Sequence, residues 1–466
     1  RLGARRAELP VHDDELYLEY HRGTYTTHHD VKAGNAALER KLAWAETLAA
    51  WCVAVRAPRA ALDRVRGALH GAWEIVLRNQ FHDVLPGTSI AEVYADVREE
   101  HARANVLADE AAAAARALLP RAAPPRSAPL RPPDATSEGF EFGNGFVEAR
   151  VLPNGTLTDL RVAGGGNAVA QANLLAHYPD RPKKWEAWNI DAGYERRRRA
   201  AVPGAAKLVD GGLEVPFRIG RRSLATMRLT LREGDPYLRV ELAVDWRERR
   251  TLLRLENWLA VRAEEAIYGA PHGTVTRSAR ADTAQRRARF EVPGQRFALV
   301  RDGEGTGVAL FSLDAYGWSA RALAKGGVRL GHSLLRSTGW PDPRADAGEA
   351  AFAWAFAPVR GAGVGAVESA WRRFAGDEGV PLFESGDDAI AVVACKPAHD
   401  GDGVIVRIRE CDGAARPFAL RCGGRMREAI PVDGVERRVP GDARIEGESL
   451  AGEIAAYALR SWRVRF

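Results

Sequence analysis

The stretch "WEIVLRNQFHDVLPGTSIAEV", residues 73–93, predicts a sharp change of backbone direction within a helical region. Its leading apolar residues recur at three- and four-residue steps, which is typical of an amphipathic helix. The Pro86–Gly87 pair then breaks that helix, because proline lacks a backbone N–H and glycine accepts turn conformations. Ser89, followed three residues later by Glu92, is a capping-box pattern. The stretch therefore predicts two helices joined by a tight corner.

Two ionisable residues, His82 and Asp83, lie inside this corner. A neutral imidazole is the commonest metal ligand, and a neighbouring carboxylate can fix its tautomer or bind a substrate. A hydrogen-bonded corner without chemistry is the more frequent reason for such a pair. The two residues by themselves leave both interpretations open.

Helical periodicity extends in both directions from the corner. The segment "AALERKLAWAETLAAWCVAV", residues 36–55, repeats the spacing, and an alanine-rich helix follows Glu92. Three helices joined by short loops predict a bundle over residues 31–119. Six prolines fall between positions 120 and 133, so residues 120–139 are predicted to form a linker.

A β pattern replaces the helical one beyond the linker. In "TMRLTLREGDPYLRVELAVDW", residues 226–246, apolar and polar residues alternate on either side of a Gly-Asp-Pro turn, which predicts a hairpin. Such strands continue to the C-terminus, too many for one sheet. We therefore expect a large β-sandwich domain over residues 140–380 and a small β-sandwich over residues 381–466.

The segment "ELYLEYHRGTYTT", residues 15–27, alternates apolar and polar residues before the first helix. A strand would carry Glu15 and Glu19 on one face. A helix would also bring them together, at positions i and i+4. The spacing does not choose between the two, but both predict a cluster of carboxylates.

Composition limits the function classes. The chain has 466 residues and a net charge of +6, with one dense basic run at Arg196–Arg199 and no nucleic-acid-binding module. No apolar run is long enough for a membrane span. Four cysteines without a CxxC pair fit a reducing compartment, so we expect a cytoplasmic protein. Because the sequence starts without methionine, we also expect it to be cut from a longer protein.

Other residue patterns point to sugar chemistry. Tryptophans and acids alternate in "KKWEAWNID", residues 183–191, and indole faces beside carboxylates suit the C–H faces and hydroxyls of a sugar. Glu15 and Glu19 could form the carboxylate pair that glycosidases use. The His12–Asp14 and His28–Asp30 pairs lie in loop-like sequence and are interpreted as unrelated to metal binding.

Taken together, six segments resemble the glycoside hydrolase family 38 α-mannosidases, most closely the cytosolic and bacterial branch. They occur in family order and span nearly the whole chain. The segments are "ELYLEYHRGTYTTH" (15–28), "WEIVLRNQFHDVLPGTSI" (73–90), "RPKKWEAWNID" (181–191), "ARFEVPGQRF" (288–297), "SLLRSTGWPDPRADAG" (333–348) and "KPAHDGDGVIVRIRE" (396–410).

The resemblance implies a multidomain α+β architecture. Residues 1–30 would be the tail of an α/β catalytic domain, followed by the three-helix bundle and the antiparallel β-sandwich domains. It also implies a Zn²⁺ cofactor, with His82 as one ligand. Glu15 would be the acid/base, with Glu19 as second choice. Substrate contacts are implied for the remaining candidates, which are Asp83, His21, Arg22, Tyr25, Trp188 and Arg336.

Several departures from the family pattern affect these expectations. The family's early His-x-Asp pair and its nucleophile aspartate lie upstream of the first segment and have no counterpart here. Asp14 replaces a glycine before Glu15, Glu186 and Asn189 replace aspartates, and His399 stands where a glutamate is common. We therefore expect a fragment that is inactive by itself.

The expected function is zinc-dependent, retaining hydrolysis of terminal α-mannosides in oligosaccharides, with a proton donor whose pKa is raised. Neither nucleic acid nor membrane is expected as a partner, and assembly into a homo-oligomer is left open. Two alternatives are kept. One is a non-catalytic carbohydrate-binding β-sandwich protein, and the other is a polyanion binder that uses Arg196–Arg199.

Overall fold

Three long helices form the first part of the structure, a computed structural model that describes residues 9–120, 128–376, 380–442 and 444–466. The helices are α1 (His29–Ala54), α2 (Arg59–Asn79) and α3 (Ala91–Leu118). Leucines of α1 pack against the apolar face of α2 and against four fully buried alanines of α3, Ala104, Ala108, Ala111 and Ala115. The small alanine side chains let the helix backbones approach closely, and the predicted bundle is confirmed.

The start of α3 differs from the prediction. The residue before it is Ile90, which makes no side-chain cap. Ser89 instead donates its hydroxyl to the Asp83 carbonyl at 2.8 Å, and its N–H donates to the Tyr94 hydroxyl at 2.8 Å. The capping-box prediction is therefore wrong, because the buried Tyr94 offers the Ser89 backbone a closer partner and the hydroxyl closes the corner.

The large β-domain contains twenty strands and one short helix, α4 (Ala284–Ala288). Its first strands are β1 (Asp134–Ala135), β2 (Phe140–Gly143), β3 (Val147–Val151), β4 (Leu157–Val162), β5 (Val169–Pro179), β6 (Arg199–Ala200), β7 (Val202–Pro203), β8 (Lys207–Val209), β9 (Gly212–Ile219) and β10 (Ser223–Thr230). The others are β11 (Leu238–Trp246), β12 (Thr251–Leu259), β13 (Glu265–Ala270), β14 (Gly273–Ser278), β15 (Val292–Pro293), β16 (Gln295–Arg301), β17 (Thr306–Ser312), β18 (Gly317–Ala322), β19 (Val328–Ser337) and β20 (Gly348–Arg360).

These strands form two antiparallel sheets that share one core. The first sheet runs β1-β2-β3-β4-β5-β12-β19-β18-β15, with β6 beside β5. The second runs β14-β13-β16-β17-β20-β11-β10-β9-β7, with β8 beside β9. In the predicted hairpin, Met227 pairs with Leu242 and Leu229 with Val240, and all four side chains are buried. The alternation that predicted the hairpin is thus the alternation between core and outer face.

The small β-sandwich follows helix α5 (Val364–Ala375). Its strands are β21 (Phe383–Ser385), β22 (Ile390–Pro397), β23 (Val404–Glu410), β24 (Arg416–Cys422), β25 (Glu428–Val432), β26 (Arg444–Glu446), β27 (Ser449–Ile454) and β28 (Leu459–Arg465). They pair as two four-stranded sheets, β21-β24-β27-β26 and β22-β23-β28-β25. Ala50 and Trp51 of α1 join its core, so the bundle and the small sandwich pack directly on each other.

The segment before α1 is neither of the predicted elements. Residues 9–18 contain no helix or strand, and Glu19–Tyr25 forms a 3-10 helix with a kink at His21. Leu16 is 83% exposed, so the predicted apolar face is not buried in the described structure. Residues 1–8 lie outside the described residues, and assignment of residues 1–30 to an α/β domain stays a prediction.

The expected linker also carries some order. Residues 121–127 lie outside the described residues, whereas β1 falls within 120–139 and Leu130 forms a bridge with Arg232. The proline-rich stretch therefore ends by joining the edge of the large β-domain. Among the described helices, none is both long and apolar enough to cross a membrane.

Candidate active site

A cleft of about 420 Å³ lies where the N-terminal segment, the helical corner and two loops of the large β-domain meet. Six of the predicted site residues line it, namely Glu15, His21, Tyr25, His82, Asp83 and Trp188. Three others do not, and they are Glu19, Arg22 and Arg336. The cleft also has walls that the sequence did not predict, Leu16, Tyr17, Leu18, Thr24, Pro86 and Pro293.

The corner presents the His82–Asp83 pair to the cleft. The Val84 and Leu85 N–H groups donate to the Phe81 carbonyl at 2.9 and 3.2 Å, which continues the turn after α2. The His82 side chain is 78% exposed, with its Nε2 3.5 Å from Asp83 Oδ2. Two neighbouring ligand-type side chains thus face the cleft without burial.

Gly87 fixes the corner against the N-terminal segment. Its φ is +88°, a conformation that disfavours other residues. A Cβ at this position would lie 2.3 Å from the Thr27 carbonyl oxygen. The close approach of the two backbones therefore requires glycine.

A buried lysine also connects the corner and the N-terminal segment. Lys32 Nζ donates to the carbonyls of Thr27 and Leu85, the latter at 2.8 Å. Burial lowers the pKa of Lys32 to about 7. One side chain thus joins the backbone before α1 to the backbone of the corner.

His28 packs beside this contact. It stacks on Tyr94 with the ring centroids 3.6 Å apart, and its nitrogens lie 3.3 Å from Asp30 and 3.4 Å from Asp342. Burial alone would lower the pKa of His28, but the two carboxylates raise it. The His28–Asp30 pair therefore belongs to an ion cluster in which His28 is buried and Asp30 is exposed, whereas the His12 and Asp14 side chains are both exposed.

Glu15 is held by an arginine of β14. Arg277 donates from Nε to Glu15 Oε2 at 2.8 Å and from Nη2 to Oε1 at 2.6 Å. This paired hydrogen bond lowers the pKa of Glu15, although partial burial acts in the opposite direction. The expected raised pKa is therefore wrong for this arrangement, because Arg277 stabilises the ionised carboxylate.

Arg22 turns away from the cleft into the β-domain. Its Nε and Nη2 donate to the Ala288 carbonyl at 3.1 and 2.8 Å, and its guanidinium lies 4.4 Å from the Phe290 ring centroid. Arg22 thus does not line the cleft in this structure, because the β-domain occupies its guanidinium. Glu19 lies 3.8 Å from Arg22 with its side chain 59% exposed, and it does not reach the cleft either.

Arg336 is fully buried, so its predicted substrate contact is also corrected. Its Nε donates to Asp180 at 2.5 Å, and its Nη1 donates to the Thr27 hydroxyl and the Ala187 carbonyl at 3.0 Å each. Its Nη2 donates to the Asn189 carbonyl at 2.5 Å. The guanidinium therefore joins the N-terminal segment to the loop that carries Trp188.

The residues that hold the predicted site residues in place could not be recognised from the sequence. Arg277, Lys32 and Tyr17 carry no motif of their own, and each contacts a residue distant in the chain. Tyr17 donates its hydroxyl to the Glu291 carbonyl at 2.5 Å, which fixes the cleft wall to the β-domain. Such partners become identifiable only when the sheets are assembled.

The side chains present do not make a complete metal site. Across the described ranges, no group of three or more His, Cys, Asp or Glu residues could hold a metal ion. A zinc site takes at least three protein ligands. His82 and Asp83 are exposed and of the right chemical type, but they are too few to bind zinc by themselves.

Comparisons with known proteins cover both parts of the fold. A family model for "Alpha mannosidase middle domain" matches residues 19–119, and one for "Glycosyl hydrolases family 38 C-terminal domain" matches residues 142–344. Alpha-mannosidase 2C1 of Homo sapiens is 28% identical over 91% of this chain and 48% of its own length. Alpha-mannosidase of Saccharomyces cerevisiae is 25% identical over 93% of this chain and 46% of its own length.

The fold is also shared with a solved structure. The crystal structure of an alpha-mannosidase from Enterococcus faecalis superposes with a TM-score of 0.76 at 14% identity, covering 99% of this chain and 71% of the other. This chain spans about half the length of the curated relatives it matches. The two domain matches, in the order in which the helical bundle and β-sandwich occur, show that the chain belongs to glycoside hydrolase family 38 and contains its middle and C-terminal domains.

Proposed function

We propose that this chain supplies one side of the sugar-binding cleft of a zinc-dependent, retaining α-mannosidase that acts on terminal α-mannosides of oligosaccharides. The observation that carries the proposal is the convergence of His82, Asp83 and Trp188 on one cleft. These residues come from the two family 38 domains and lie about a hundred positions apart. The family membership supports the substrate class.

The side chains of the cleft suit a pyranose. Asp83 is an exposed carboxylate that can accept hydrogen bonds from sugar hydroxyls. The Trp188 indole offers a flat apolar face for the C–H groups of the ring. Glu15, ionised beside Arg277, is an acceptor in this arrangement, so its proposed role as acid/base requires release of Arg277.

His82 is proposed as one ligand of the zinc on which the family depends. One histidine and one neighbouring carboxylate do not complete a zinc site. For the same reason, we propose that residues 1–466 alone do not hydrolyse aryl α-mannosides.

Cytoplasmic location is proposed from the cysteines. All four are unpaired and buried, which suits a reducing compartment. Self-assembly into a homo-oligomer is left open.

The proposal is tested in the enzyme that contains this chain. Substituting His82→Ala and Asp83→Asn should each lower hydrolysis of 4-nitrophenyl α-mannoside at least about a hundredfold, and His82→Ala should also lower bound zinc, measured by metal analysis. His70→Ala is the matched control, since His70 is an exposed histidine of α2 remote from the corner. Full zinc content and full activity in His82→Ala would overturn the proposed role.

A non-catalytic sugar-binding protein remains the second candidate. The exposed Trp185 and Trp340 favour it, because large aromatic surfaces are rarely left in water without use. Binding of α-methyl mannoside by residues 140–466 without zinc would support this alternative.

The polyanion alternative is weakened by the structure. Arg198 donates to Glu256 at 2.8 Å, so one member of the basic run is already paired with a buried carboxylate, which Arg329 shares.

A further inference from the structure

Three tryptophans form a continuous aromatic surface that starts in the cleft. Trp188 lines the cleft, and the Trp340 ring lies against it with the centroids 5.3 Å apart and the planes tilted by 31°. Trp185 meets Trp188 edge-on at 6.2 Å. We call Trp185, Trp188 and Trp340 the tryptophan platform. Its outer members are 57% and 51% exposed, for Trp185 and Trp340 respectively.

The backbone beneath the platform is held rigidly. Two amides, those of Trp188 and Asn189, donate to the Trp185 carbonyl at 3.0 and 2.8 Å. Trp185 has a φ of +60°, which is unfavourable for a bulky residue. Strain of this kind persists only where surrounding contacts enforce it, and it concentrates at functional positions.

A carboxylate joins the two loops that carry the platform. Glu186 accepts from the Gly339 N–H at 2.7 Å and pairs with Arg250 at 2.8 Å. Trp185 directly precedes Glu186 in the chain, and Trp340 directly follows Gly339. The spacing of the two exposed rings is therefore set by hydrogen bonds beneath them rather than by a ligand.

The platform is also anchored to the cleft. The Gly23 N–H donates to the Trp188 carbonyl at 2.7 Å, and the buried Arg336 donates to the carbonyls of Ala187 and Asn189. A molecule that extends from the cleft over Trp188 can therefore contact Trp340, whose ring centroid lies 5.3 Å from that of Trp188. Within the described part of the chain, the indole N–H groups of Trp185 and Trp340 make no hydrogen bond to protein, so they remain available to hydroxyls.

We propose that the tryptophan platform is a subsite for the second sugar, the pyranose to which the terminal α-mannose is linked. A pyranose presents an apolar C–H face to an indole and hydroxyls at its rim, which matches exposed rings with available N–H donors. Continuity with the cleft selects the neighbouring sugar of the same substrate. The proposal rests on the proposed function, because the cleft must hold a terminal mannose.

The test compares two substrates of the enzyme that contains this chain. α-Mannosyl fluoride has no second sugar, whereas α1,3-linked mannobiose has one. The ratio of kcat/KM for mannobiose to kcat/KM for the fluoride should fall about tenfold in Trp340→Ala and severalfold in Trp185→Ala, the size expected for one lost aromatic contact. Phe146→Ala, an exposed aromatic residue outside the platform and the cleft, should leave the ratio unchanged.

The outcomes separate this subsite from the proposed function. An unchanged ratio in both tryptophan variants, or an equal fall in Phe146→Ala, overturns the subsite. An unchanged ratio with a lowered unfolding temperature in Trp340→Ala would show that the platform packs on protein instead. Absence of fluoride hydrolysis in the unsubstituted enzyme contradicts the proposed function.

If the unsubstituted enzyme does not hydrolyse the fluoride, a binding measurement tests the subsite by itself. Saturation-transfer NMR of mannobiose with residues 1–466 should show contact to the reducing-end sugar, and the contact should be lost in Trp340→Ala. A signal that persists in the variant, or no signal for the unsubstituted chain, overturns the subsite.

Discussion

The helical corner and the N-terminal segment both face the cleft, but they are held in different ways. The corner, Phe81–Ser89, folds largely on itself: apart from the bond from Lys32 to the Leu85 carbonyl, the hydrogen bonds cited for it join residues at most 11 positions apart. The segment at 15–28 is held by partners 160 to 318 positions away, including Ala187, Arg277 and Asp346. One wall of the cleft is thus a local structure, whereas the other exists only because the β-domain holds it.

The largest expected effect comes from removing the arginine that joins the N-terminal segment to the β-domain loop of Trp188. Arg336→Met leaves the buried Asp180 without its partner and the Thr27 hydroxyl without its donor, and should lower the free energy of unfolding by about 3–5 kcal/mol. Urea denaturation of residues 1–466 measures this. Arg222→Met, at an exposed arginine, is the control and should change little.

Hydrogen exchange gives the location of that effect. Amides of residues 15–28 should lose protection in Arg336→Met more than amides of α2. Equal loss of protection in both regions would contradict the distinction between the corner, which its own hydrogen bonds hold, and the N-terminal segment, which the β-domain holds.

Substitutions at two glycines test the close contact between the corner and the N-terminal segment. Gly87→Ala should destabilise the chain by more than the roughly 1–3 kcal/mol of a strained backbone, because its Cβ would meet the Thr27 carbonyl. Gly145→Ala is the matched control, with φ +85° and no atom within 4 Å. Thermal unfolding of both variants gives the difference, and equal losses would mean that the close approach has no cost.

Two substitutions with smaller effects on the free energy of unfolding test how the corner closes. Ser89→Ala should cost about 1 kcal/mol through loss of its hydroxyl bond to Asp83, while Glu92→Ala should cost only about 0.3 kcal/mol through the helix dipole. A capping box would instead make the two substitutions similarly costly. Urea denaturation of both variants distinguishes the arrangements.

The smallest effect on stability concerns Glu15, which is partly solvent-exposed. Arg277→Gln removes the partner that lowers the pKa of Glu15, so that pKa should rise. The stabilisation is present above the unfolded-state pKa of about 4.5 and is lost as pH falls through the lower folded-state pKa. The difference in stability between the parent and the variant should therefore be largest above about pH 4.5 and should shrink in more acidic solution to the part that the hydrogen bond from Arg277 to the Pro293 carbonyl contributes.

Carboxyl NMR titration of Glu15 follows the pKa directly. Arg280→Gln, which removes an exposed arginine paired to Glu264, is the control and should leave Glu15 unchanged. An unchanged titration in Arg277→Gln would show that Arg277 does not set the charge of Glu15.

Local patterns predicted the elements better than the site. The helical spacing of residues 36–55 and the alternation of residues 226–246 each depend on neighbours a few positions apart, and both elements formed as expected. Residues 15–27 also alternate, but no adjacent strand pairs with them, and they became an irregular segment with one 3-10 helix. Alternation without a pairing strand does not define an element.

The site residues divide in the same way. Neighbours in sequence such as His82 and Asp83 were found from the sequence because their proximity needs only the corner. Arg22 and Arg336 were assigned to the substrate, yet each turned inward, Arg22 to the Ala288 carbonyl and Arg336 to the Asp180 carboxylate and two buried carbonyls. Direction of a long side chain depends on which acceptors the folded sheets place around it.

By itself, the sequence determined the helical bundle, the β-sandwiches and the corner with its His-Asp pair, since short-range periodicity and backbone preferences act within a few residues. Only the tertiary structure decided that Arg277 stabilises the ionised Glu15, that Lys32 joins the two walls, that Arg336 joins the N-terminal segment to the loop of Trp188, and that Trp340 lies beside Trp188. Those contacts join residues tens to hundreds of positions apart, and no local preference encodes them.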